Sequence, residues 1–216
     1  MTLRLVVLIS GKGSNLGAIA EAIDEGRCDA KIALVVSDRP DAAGLEIARS
    51  RGIETQSLAF TKGMDRDEYS AALADIVAQG APELVVLAGF MRVLGKSFIQ
   101  RFGGRMINIH PSLLPAFRGA DGVGDALDAG VKITGCTVHL VDEGVDTGKI
   151  LAQAAVPVLP GDDRASLHAR IQRAEHGLLP EIIHAIANAK MRLDGGLLSR
   201  TEIDEDARII VPQFEP

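Results

Sequence analysis

Short aliphatic runs alternate with longer stretches of helical periodicity through the first half of the chain. The runs fall at residues 3–9, 31–36, 84–88 and 106–109 and are rich in Val, Ile and Leu. Leu5-Val6-Val7-Leu8-Ile9 and Leu84-Val85-Val86-Leu87-Ala88 are apolar at every position. A strand with one wet face alternates, so these runs predict central strands of a parallel sheet covered on both sides. Helical patterns lie between them at 15–25, 42–50 and 65–79, ending near Gly26, Gly52 and Gly80, residues that stop helices. The alternation predicts an α/β fold: a doubly wound, mostly parallel sheet with a Rossmann-like N-terminal half.

Past Asn108 the texture changes. A Pro/Gly-rich segment at 111–124 predicts irregular chain, followed by a short helix at 124–129. A β-rich stretch covers 133–140 and 150–158. The alternation in Thr137-Val138-His139-Leu140-Val141 predicts one solvent-lined face there. A long helix is expected at 163–189, capped by Asp162 or Asp163 and carrying Pro180 inside. The expected organisation is a domain over residues 1–190, with halves 1–107 and 108–190, and a C-terminal extension or small hairpin at 191–216.

With 216 residues, 47% of them apolar, the chain can bury a substantial core, which excludes disorder. Aromatics are 3% with no Trp, so aliphatic side chains must build that core. The net charge of −6 weighs against nucleic acid and anionic membranes as partners. A bound phosphate would therefore have to be held by local groups. The apolar run at 3–9 is too short to span a bilayer. Cys28 and Cys136 form no disulfide framework, and with no signal-peptide pattern a cytoplasmic location is expected. The histidines at 110, 139, 168, 176 and 184 lack ligand spacing, so no metal is expected; His168 and His176 read as separate surface residues.

Chemistry concentrates in a few places. Ser10-Gly11-Lys12-Gly13-Ser14-Asn15 leaves the first strand and opens the first helix, where glycines and free N–H groups suit an anion. The bland alternative is a tight turn capped by Ser14 or Asn15. Asn108 and His110, two apart at the end of a buried strand, share a side, and an amide beside an imidazole can polarise a carbonyl and manage a proton. Prolines fix the exit from that strand, and Leu114-Pro115 is a candidate cis bond. Residues 141–148 form an acidic glycine turn able to deliver Asp146 to the same place. Gly89-Phe90-Met91-Arg92 taken alone reads as packing. Gln172 and Glu175 share one helix face.

The order and spacing of these pieces is more specific than any one of them. Ser-Gly-x-Gly-Ser-Asn, Leu-Ala-Gly-Phe-Met-Arg, Asn-Ile-His-Pro-Ser-Leu-Leu-Pro, Gly-Cys-Thr-Val-His, Asp-x-Gly-x-Asp-x-Gly and Gln-x-x-Glu-His run in that order. Together they resemble the glycinamide ribonucleotide formyltransferase family of purine biosynthesis, from Leu5 to about His184. The resemblance implies a formyltransferase fold and 10-formyltetrahydrofolate as co-substrate, with small-molecule partners and a monomer or homodimer. It implies catalytic roles for Asn108, His110 and Asp146, and a phosphate loop at Gly13, Ser14 and Asn15. Ribonucleotide contacts are implied at Gln172, Arg173, Ala174 and Glu175, and a small hydroxyl near the site at Thr137. Folate contacts are implied at Arg66, at Met91, Arg92, Val93 and Leu94, at Asn108, and at Asp142, Glu143, Gly144, Val145 and Asp146. The chain departs from the family pattern at Asp121, where a histidine is usual, at Gly124, where a basic residue is, and at Lys149, where proline is common. Arg118-Gly119-Ala120 is similar to the sister family that formylates initiator methionyl-tRNA. A formyltetrahydrofolate hydrolase and an amino-sugar nucleotide formyltransferase share the Asn/His/Asp core and remain alternatives.

Overall fold

The computed structural model describes residues 2–61, 63–191 and Leu193. Apart from Met191 and Leu193, the extension expected at 191–216 lies outside the described residues. The elements run β1 (Leu3–Ile9), α1 (Ser14–Asp24), β2 (Ala30–Ser37), α2 (Ala43–Arg49), β3 (Thr55–Ser57), α3 (Arg66–Gln79), β4 (Leu84–Leu87), α4 (Lys96–Phe102), β5 (Met106–His110), α5 (Gly122–Asp128), β6 (Ile133–Leu140), β7 (Ile150–Pro157) and α6 (Arg164–Ala187). They build a seven-stranded sheet in the order β3-β2-β1-β4-β5-β6-β7. Pairing is parallel from β3 through β5, and β6 and β7 add antiparallel.

The apolar character of β1 has the anticipated cause. Leu5, Val7 and Ile9 join a core on one face, while Val6 and Leu8 join a second core on the other. The first core packs under α1, α2 and α6; the second is closed by Tyr69, Leu73 and Val77 of α3 and by Phe98 and Phe102 of α4. Helix starts are fixed by side chains: Asp65 accepts hydrogen bonds from the Asp67 and Glu68 N–H groups, and Asp163 and Ser166 form a capping box. Strand order turns back beside β1, which has β2 on one flank and β4 on the other, so a crevice opens at the carboxyl ends of β1 and β4.

Four features differ from the expectation. The sequence pattern did not mark β3, a three-residue edge strand, or α4, a seven-residue helix. The solvent-lined face expected on β6 is absent: its residues from Thr134 through His139 are buried on both sides. The loop after β5 covers that face, with Thr137 Oγ1 donating to the Ser112 carbonyl at 2.7 Å and accepting from the Leu114 N–H at 3.0 Å. The helix expected to begin at 124 begins at Gly122, one residue after its cap Asp121.

Candidate active site

The turn from β1 into α1 is made of backbone. Gly13 caps α1 at φ 72 with no side-chain cap, so the first-turn N–H groups are left for a ligand. A Cβ on Gly13 would lie 2.6 Å from Gly44 Cα, and the Gly44 N–H donates to the Gly11 carbonyl at 3.0 Å. Two chain segments thus touch through glycines, and only glycine fits position 13. Ser14 and Asn15 do not cap the helix but reach across to α6. Gln172 Nε2 donates to Ser14 Oγ at 2.8 Å, and Asn15 Nδ2 donates to Glu175 Oε2 at 2.9 Å. Glu175 is buried, and Asn15 Oδ1 has no protein partner.

At the carboxyl end of β5, Asn108 and His110 face one cavity of about 810 Å³, which α1, α6 and the loops after β4, β5 and β6 also line. His110 Nε2 donates to the Phe117 carbonyl at 2.9 Å, since that oxygen only accepts. Nδ1 then faces Asp146 Oδ2 at 3.5 Å. Asp146 is held in turn by the Gly119 N–H, which donates to Oδ2 at 2.9 Å. The opposite oxygen lies 3.7 Å from His139 Nε2. His139, paired across the sheet with Asn108, donates from Nδ1 to the Leu140 carbonyl at 2.8 Å. Its Nε2 therefore accepts from Asn108 Nδ2 at 3.0 Å. Burial is the chief cause that holds the His139 ring below its ordinary pKa, keeping it neutral and keeping Nε2 an acceptor. An amide and an imidazole from the end of β5 and a carboxylate from the loop after β6 thus converge, and a second histidine fixes which way the amide points.

Over residues 3–183 the sequence matches the formyl transferase family. The chain belongs to that family. It is 48% identical over 184 residues to a phosphoribosylglycinamide formyltransferase of Mycobacterium tuberculosis, covering 85% of each chain. It is 42% identical over 190 residues to the human trifunctional purine biosynthetic protein adenosine-3, and there it spans 88% of this chain but only 19% of that protein. Its fold matches the crystal structure of glycinamide ribonucleotide transformylase 1 from Symbiobacterium toebii with a TM-score of 0.85 at 45% identity, covering 88% of this chain and 90% of that one.

The remaining expected residues of this formyl transferase divide into two groups. Met91, Val93 and Val145 are 57%, 49% and 48% exposed at the cavity mouth, an apolar rim that suits a flat ligand. Behind it a recess of about 90 Å³ touches Leu94, Asp142 and Gly144. Asp142 shapes its own loop, accepting from the Gly144 N–H at 3.1 Å and from Thr147 Oγ1 at 2.6 Å. Arg92 donates from Nε to the buried Asp38 at 2.6 Å and stacks over Phe60, which fixes its guanidinium at the rim. Arg66, Glu143, Arg173 and Ala174 line neither space: the first three are exposed, and Ala174 packs against the core. Conversely, Asp121, Arg164 and His168 do line the cavity, and His139 lines the recess. None of these four was named from the sequence as a site residue, although position 121 was marked there as a departure from the family pattern. For His168 a signal existed, because it precedes Gln172 by one helical turn on the same face.

Proposed function

We propose that this formyl transferase moves the formyl group of 10-formyltetrahydrofolate onto the amine of glycinamide ribonucleotide, yielding N-formylglycinamide ribonucleotide and tetrahydrofolate. One observation carries the reading: Asn108, His110 and Asp146 meet on a cavity wall between the uncapped N-terminus of α1 and an apolar mouth. The α1 N–H groups with Gly13, Ser14 and Asn15 take the phosphate, and Gln172 and Glu175 take the sugar hydroxyls. Met91, Arg92, Val93 and Leu94 and the loop carrying Asp142, Gly144 and Val145 take the folate. Arg66, Glu143, Arg173 and Ala174 contribute only if binding moves them. The names of the relatives above support the choice of amine.

In this reading the substrate amine nitrogen attacks the formyl carbon. Asn108 donates a hydrogen bond to the formyl oxygen as it gains negative charge, and protonated His110 adds a second charge-stabilising contact. Preorganised donors of this kind are typically worth ~3 kcal/mol each. The amine loses a proton to Asp146, directly or through water, and the bond from formyl carbon to folate nitrogen breaks. A proton returns to that nitrogen, so no net charge is left behind. His110 suits the task because Phe117 fixes Nε2 while Nδ1 stays free to exchange a proton beside Asp146. The test is a panel with one donor, 10-formyltetrahydrofolate, and three acceptors: glycinamide ribonucleotide, an amino-sugar nucleotide and water. Donor absorbance should change with the ribonucleotide alone. Formate release without an amine, or preference for the sugar nucleotide, would overturn the assignment.

A further inference from the structure

The departures at residues 121 and 124 meet in space at a third residue, Arg164. Arg164 Nη1 donates to Asp121 Oδ1 at 2.6 Å, with Oδ2 also at 2.6 Å. Gly124 gives the guanidinium its room: a Cβ there would collide with Arg164 Nη2 and would lie 2.6 Å from Asp121 Oδ2. The cation at this corner therefore comes from the first turn of α6, and the glycine is what admits it. Asp121 also accepts the Gly124 N–H at 3.1 Å as the cap of α5, and the guanidinium is the main cause that holds its carboxyl below the usual pKa.

The two ends of this ion pair lie on different parts of the machinery. Arg164 opens the helix whose Gln172 and Glu175 bind Ser14 and Asn15. Asp121 closes the segment whose Phe117 carbonyl holds His110 and whose Gly119 N–H holds Asp146. Its neighbour Gly122 packs so near His110 that a Cβ would lie 3.3 Å from Nε2. We propose that Asp121 and Arg164 are positioning residues: their ion pair ties the substrate helix to the catalytic loop and sets where His110 and Asp146 are held. The proposal rests on the formyl-transfer reading of the site.

Three variants break the tie in different ways. Arg164→Met removes the cation. Asp121→Asn keeps the cap acceptor and removes the charge. Gly124→Ala keeps both charges and displaces the flexible guanidinium. For an ion pair this exposed, each should lower kcat by about fivefold, leave the KM for glycinamide ribonucleotide within about twofold, and leave thermal unfolding unchanged. Arg164→Lys, which keeps the cation, should restore most of the rate lost in Arg164→Met. Amide hydrogen exchange at Gly119 in the ligand-free protein reads the same coupling without turnover and should be about fivefold faster in Arg164→Met. Unchanged kcat with unchanged Gly119 exchange overturns the proposal. So does a raised KM at constant kcat, which would make Arg164 a direct substrate contact. A wild-type protein inactive on the ribonucleotide defeats the proposed function instead, while the exchange measurement still decides the coupling.

Discussion

The proposed anion cradle and the proposed catalytic wall line one cavity and are built on opposite principles. The cradle is backbone between a strand buried from Leu5 to Ile9 and a helix, and its one unusual torsion, φ 72, falls on Gly13, where it carries no steric penalty. The wall is side chains held by loops. Phe117 and Asp146, which hold and face His110, adopt φ 56 and 52, and each such non-glycine torsion costs about 1–2 kcal/mol. Two of the four left-handed non-glycine torsions among the described residues fall on this wall, the others on Ala81 and Ala189, and none falls in the cradle. Binding and turnover should therefore respond separately to mutation.

The largest test of that separation lies on the wall. His110→Ala and Asp146→Ala should each lower kcat by about 10³-fold, the scale of a lost acid–base group. Asn108→Ala should cost about 10²-fold. In all three the KM for glycinamide ribonucleotide should change little, because the phosphate end is held elsewhere. Steady-state kinetics check this, and a KM that rises in step with the fall in kcat would merge the two regions into one.

The reverse pattern is expected in the cradle. Gly13→Ala forces a side chain onto Gly44 Cα and into a left-handed torsion, so it should destabilise the protein by about 2 kcal/mol. It should also raise the ribonucleotide KM by about tenfold, through the displaced N–H groups. Gln172→Ala, which frees Ser14, should raise KM by about fivefold with kcat nearly intact. Denaturant midpoints separate the stability effect in Gly13→Ala from the binding effect.

The same contrast governs how much was legible in the sequence. The cradle follows from local pattern: an apolar run, two glycines and a helix opening, all within fifteen residues. Asn108 and His110 were legible too, because strand alternation places residues two apart on one side. His139 was not. Its role arises from antiparallel pairing with Asn108, thirty-one residues away, and from a loop that covers a face the alternation had marked as wet. Arg164 was hidden for a similar reason, as its partner lies forty-three residues earlier in irregular chain. The short elements failed on length: Thr55-Gln56-Ser57 carries no pattern, and the Phe98 and Phe102 pair of α4 spans one helical turn.

The smallest effect concerns the residue that joins the two regions' logic. His139 sits on the wall, yet it works as the cradle does, by being fixed and uncharged. Its Nε2 must stay an acceptor for Asn108, and protonation would set two donors face to face at 3.0 Å. Burial lowers the folded pKa, while the Leu140 carbonyl and Asp146 oppose that shift without reversing it. The unfolded ring takes a proton near its ordinary value of 6.5, whereas the folded ring takes it only at lower pH. Stability is therefore undiminished above that value and falls as pH drops below it, until the folded ring also titrates. The slope cannot exceed about 1.4 kcal/mol per pH unit for one proton. His139→Gln should flatten the fall in urea-unfolding free energy between pH 7 and 5, within that bound. An undiminished fall in that variant would mean that the ring charges inside the folded protein, and that Asn108 is aimed by something else.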